Sequence, residues 1–128
     1  MVSADPLKDE SRKRRTLING CDVRRSYQMN RAKHKTANGA FTYTDLEHIL
    51  RAREITHLLF SGCTTDVCVH STLREAVDRN FQCLLIEDAC ASADRYAHEA
   101  AIHMVTVEDG VFGAVATAAD VLAALRRL

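Results

Sequence analysis

GCTTDVCVHST, residues 62–72, decides the fold, because a short apolar run enters it and a helical pattern leaves it. Upstream lies His57-Leu58-Leu59-Phe60, too short for a helix and continuous in the way of a strand covered on both faces. Downstream, Val69, Thr72, Leu73, Ala76 and Val77 recur at helical spacing, which predicts a helix over 66–79. Cys68 therefore falls in the first turn after a strand.

The same alternation extends outward. Thr44-Asp45-Leu46-Glu47 has the form of a capping box, with Leu46, Ile49 and Leu50 on one face, so a helix is expected to about Arg53. CLLIE at 83–87 reads as a second strand, Asp94 to His103 as a helix with Ala97, Ala100 and Ala101 on its packing face, and Met104-Val105-Thr106-Val107 as a third strand. The last helix starts at Thr117, with Asp120 as its capping partner and Ala118, Val121, Leu122 and Leu125 as its buried side. Strands alternating with helices at this spacing imply parallel strands and an α/β layered fold. In such folds ligands gather beyond the carboxyl ends of strands, and the loop 61–66 with Cys68 occupies that place. A helix start there offers unpaired amides and about half a positive charge, so a thiolate and an anion site can share one structure.

Global properties narrow the class. The 128 residues make one domain able to build its own core. The 17 basic and 17 acidic residues cancel, giving no general pull toward nucleic acid or membrane. No apolar stretch approaches the roughly 18 residues of a membrane span, and a soluble, cytoplasmic protein is expected. Five cysteines at irregular positions suit reduced thiols, with Cys83 a small buried apolar residue inside its strand. Composition shifts near residue 35: the basic stretches 11–15 and 23–35 read as a poorly ordered arm over 1–34, with one short strand candidate at Thr16-Leu17-Ile18, and the ordered domain is expected over 35–128. His57, His70, His98 and His103 lie on separate elements, and Cys63 with Cys68 lacks C-x-x-C spacing, so neither a metal site nor a cofactor is expected. His70 reads as a helix-surface or oligomer-contact residue.

Residues 55–92, ITHLLFSGCTTDVCVHSTLREAVDRNFQCLLIEDACAS, closely resemble the cysteine-hydrolase branch of the isochorismatase-like superfamily, nearest to its biuret and ureidoacrylate amidohydrolase type. KTANGAFTYTDLEHILR at 35–51 resembles the family's lysine segment, and EDGVFGAVATAADVLAAL at 108–125 its closing segment. The resemblance implies a three-layer Rossmann-like parallel sheet with helices on both faces, here truncated to its second half with about three strands. It places Cys68 on the nucleophile and Lys35 on the catalytic lysine, 68 − 35 = 33 residues apart. It implies a cis peptide at Cys63-Thr64 that aims the amides of Thr64 and Cys68 at an oxyanion. Asp66 would cap or orient the loop. Phe41, Thr65 and Glu108 fall among substrate contacts, and Glu108 stands where biuret-type relatives have a glutamine, which counts against biuret itself. The implied reaction is hydrolysis of a small amide or ureido compound through a thioester.

The chain departs from the family in its first half. The family's proton-managing aspartate ends a leading strand in a D-x-Q motif, whereas only 34 residues precede Lys35 here and none forms that motif. Asp5, Asp9 and Asp22 are the acids available, Asp22 after TLINGC being the best placed. Loss of a positioned acid/base costs about 10² to 10⁴ in rate. The missing strands would also leave the edge of the 57–60 strand uncovered, inviting a homo-oligomer. Two readings follow: a cysteine-dependent amidohydrolase, or an inactive remnant or oligomerising subunit of the same family.

Overall fold

The structure, a computed structural model, describes residues 15–19 and 37–127. The rest of the basic arm, with Asp5, Asp9, Asp22 and Lys35, lies outside the described residues.

Four parallel strands form one sheet in the order β1-β2-β3-β4. These are β1 (Arg15–Asn19), β2 (Ile55–Cys63), β3 (Gln82–Ala91) and β4 (Ala114–Ala116). The helices are α1 (Leu46–Ala52), α2 (His70–Asp78), α3 (Arg95–Gly110) and α4 (Ala118–Leu125). Side chains alternate across the strands, so Leu58, Phe60, Cys83 and Leu85 join a core with Leu50 of α1, Leu73 and Ala76 of α2 and Val105 of α3. Leu59 and Ile86 point the other way and pack with Val121 of α4. One sheet with helices on both faces makes three layers, and its double coverage explains why the central strands read as unbroken apolar runs.

Four expectations are corrected. The segment Thr16-Leu17-Ile18 lies in β1, which pairs with β2 from Thr16↔His57 to Asn19↔Phe60, so the edge of β2 expected to be open is covered. Met104 to Val107 is not a strand. The helix begun at Asp94, whose carboxylate accepts from the amides of Tyr96 and Ala97, runs on, because Ala101 and Val105, four apart, are both buried on its face. It breaks only at Val107, which is extended, and at Glu108 and Asp109, which are left-handed. The third predicted strand is replaced by β4, ten residues later. Finally, Thr44 forms no capping box: its hydroxyl donates to Ala40 O at 2.5 Å, while Glu47 pairs with Arg51 and Arg79. The capping box at Thr117 and Asp120 is present, and Asp88 Oδ1 accepts from the Ala118 amide at 2.7 Å. On α4, Val121 is buried whereas Leu122 and Leu125 are exposed. No helix among the described residues is long and apolar enough to cross a membrane.

Candidate active site

β2 and β3 keep regular register to Phe60↔Leu85 and then slip, resuming at Gly62↔Cys90. Gly62 makes the slip possible: its φ of +120° is open to glycine and strained for other residues. The next bond, Cys63–Thr64, is cis. Thr64 is extended, and Thr65–Val69 then forms one π-helical turn that continues into α2. The amides of Val67 and Val69 both donate to Thr64 O, at 3.2 and 3.1 Å, so the turn closes around that carbonyl with Cys68 between them. Cys68 is half-buried and Cys63 exposed.

Two residues that follow β3 in the chain reach this turn. Thr65, 1% exposed, has its Oγ1 hydrogen-bonded to His98 Nδ1 at 2.8 Å. Ser92 Oγ donates to Asp66 Oδ1 at 2.5 Å, and that bond holds the exposed Asp66 carboxyl below the usual carboxylate range.

The segment after Lys35 is bound to the helix that carries Cys68. Thr72 Oγ1 donates to Cys68 O at 2.7 Å and accepts from Ala40 N at 3.1 Å. Glu75 accepts from Phe41 N at 3.1 Å and from the Thr42 hydroxyl. Gly39 lies so close to the Glu75 carboxylate that a side chain there would displace it. Phe41 is a packing residue: its ring is enclosed, stacked on Phe81 at 5.9 Å with the Arg79 guanidinium 5.0 Å away. Its backbone, not its ring, ties the segment to α2. Glu108 is exposed in the bend of α3 and does not end a strand, which corrects its expected position. Thr64, Thr65 and Cys68 are brought together by one turn; Lys35 lies outside the described residues.

Thr72, Glu75, Ser92 and His98 were not singled out for these roles from sequence. Thr72 could have been, since a hydroxyl four residues after a helical residue reaches back to its carbonyl. His98 could not, being 33 residues from Thr65. His70, half-buried against Phe112, has a ring held toward its neutral form by burial, and its Nε2 finds no partner among the described residues. Among the described residues no three His, Cys, Asp or Glu side chains are grouped to hold a metal ion.

Burial raises the thiol of Cys90, and burial pushes the thiol of Cys83 up from an ordinary 9.0 to about 12. The unfolded Cys83 thiol thus ionises first, and between about 9 and 12 the folded chain holds the extra proton. Stability contributed by this group is complete below pH 9 and is lost as pH rises toward 12. Urea denaturation between pH 8 and 10.5 is expected to show a falling midpoint whose slope is reduced in Cys83→Ala.

Comparison with known proteins shows the family and the fold. The isochorismatase domain family matches residues 19–120. The ureidoacrylate amidohydrolase RutB of Caulobacter segnis is 39% identical over 88 residues, 68% of this chain and 36% of its own length. The chain thus spans about a third of that curated relative. Among solved structures, an isochorismatase family protein from Burkholderia thailandensis is 41% identical with a TM-score of 0.65, covering 72% of this chain and 47% of that one. The nicotinamidase PncA from Bacillus subtilis is 37% identical with a TM-score of 0.60, covering 65% of this chain and 44% of its own.

Proposed function

Because the chain belongs to the isochorismatase family, we propose that it hydrolyses the C–N bond of a small amide or ureido compound, with Cys68 as nucleophile and Lys35 as the catalytic lysine. The observation that carries this reading is the turn itself, whose helical start sets Cys68 beyond the carboxyl end of β2. The match to ureidoacrylate amidohydrolases supports the substrate class.

The chemistry is acyl transfer. The thiolate sulfur of Cys68 bonds to the carbonyl carbon, and the displaced electron pair moves to oxygen, where the amides of Thr64 and Cys68 stabilise it. Collapse of the adduct breaks the C–N bond, and the nitrogen leaves as ammonia or an amine after taking, through solvent, the proton that the Cys68 thiol gave up on ionising. Water then attacks the thioester, releasing the acid and returning the thiol. The Lys35 ammonium supplies positive charge to these anionic states. The role of Lys35 rests on the resemblance of residues 35–51 to the family's lysine segment, whose later residues Ala40 and Phe41 are bonded to Thr72 and Glu75 of α2.

The test is ammonia release from a panel of ureido compounds and carboxamides. The chain is expected to release ammonia from at least one, and iodoacetamide pretreatment is expected to abolish that release in step with alkylation of Cys68. Release from none, or release that persists after Cys68 is alkylated, overturns the reading.

A further inference from the structure

We propose that His98 is a positioning residue for the Cys68 turn, acting through the hydroxyl of Thr65. The inference rests on the reading of Cys68 as nucleophile. It begins with a requirement of the loop: between the amide of Thr64 and that of Cys68 lie Thr65, Asp66 and Val67, and any rotation of these three turns the two amides away from a common point.

Thr65 is the enclosed member of the three. A hydroxyl removed from water needs a partner, and His98 Nδ1 at 2.8 Å is that partner. The backbone that carries the imidazole is itself held. It belongs to the first turn of α3, where Asp94 caps the amides of Tyr96 and Ala97, and the His98 amide donates to Asp94 O at 3.0 Å. Ser92, two residues before that cap, ties down Asp66, the next residue of the turn. The start of α3 thus grips two successive residues of the nucleophile turn by side-chain bonds, one to the buried Thr65 and one to the exposed Asp66. His98 touches neither substrate nor thiol in this scheme; it sets the direction of the backbone that does.

The bonding atom is Nδ1, and this gives a discriminating test on the full chain. Asparagine places a polar atom where Nδ1 stands, glutamine places it near Nε2, and leucine has none. Cys68 alkylation by iodoacetamide, followed by peptide mass spectrometry with buried Cys83 as the internal control, needs no known substrate. His98→Leu is expected to slow Cys68 alkylation about tenfold, since thiol reactivity follows thiolate stabilisation by the surrounding amides. His98→Asn is expected to restore it to within about threefold, and His98→Gln to leave it slow. With an active substrate in hand, His98→Leu is expected to lower kcat by about 10² with little change in KM, as displaced reacting groups do. A merely structural role would instead speed Cys83 labelling and lower the melting temperature, with asparagine and glutamine behaving alike. That pattern, or wild-type alkylation in His98→Leu, overturns the proposal. A chain that releases no ammonia but whose Cys68 reactivity follows the order His, Asn, then Gln and Leu upholds the positioning role while overturning the hydrolase reading.

Discussion

Cys68→Ala is expected to lower ammonia release by about 10⁴-fold or more, the scale on which loss of a covalent nucleophile falls in enzymes that work through an acyl intermediate. The substitution deletes one sulfur from a half-buried site, so melting should move by no more than the equivalent of about 1 kcal/mol. The turn is held by bonds from its neighbours, at Thr64 O, Thr65, Asp66 and Cys68 O, and none of these uses the thiol. Activity and stability should therefore separate completely in this variant. Cys68→Ser is the companion: it keeps the shape but replaces a readily ionised thiol with a hydroxyl, and its rate should stay near that of Cys68→Ala. Steady-state ammonia release beside thermal denaturation checks both, and a Cys68→Ala variant with more than a tenth of wild-type rate would remove the thioester from the mechanism.

Gly113→Ala is expected to be the most damaging small change in the scaffold. Gly113 has φ +132°, and a Cβ built there would stand 2.3 Å from Cys83 O, 3.1 Å from Cys83 C and 3.2 Å from Cys83 Cβ. The obstruction is backbone of β3, one residue before the pairing Leu84↔Ala114, so relief requires β4 to move off the sheet. A disfavoured dihedral and a backbone clash together should cost about 3 kcal/mol or more, roughly 10 °C in Tm for a domain of this size. Gly62→Ala separates the two causes. Its φ is +120°, yet an added Cβ would meet nothing within 4 Å, so it should cost only the dihedral part, about 1 to 2 kcal/mol. Equal Tm values for the two variants would show that crowding by Cys83 contributes nothing.

The turn was legible in sequence because each of its parts is local: an apolar run, a glycine at the exit and a helical period follow one another within 20 residues. The same locality made the cap at Thr117 readable. Errors came where a local pattern suited two outcomes. Met104 to Val107 contains two β-branched valines, but Val105 continues the buried row begun at Ala101, and burial on a helix face outweighed strand propensity. Thr44 carries the right letters for a capping box, yet its hydroxyl is taken by Ala40 O. β1 is five residues long and acquires meaning only through its partner 40 positions away, Arg15↔Ile55. Glu75 and His98 are likewise placed by tertiary contact, and no spacing rule connects Glu75 with Phe41 or His98 with Thr65.

The single hydroxyl of Thr72, bonded on one side to the carbonyl of Cys68 and on the other to the amide of Ala40, works as a rivet between two stretches of chain. Any tilt or slide of α2 carries both stretches in the same direction, so their mutual distance survives thermal fluctuation that a looser joint would pass straight to the turn.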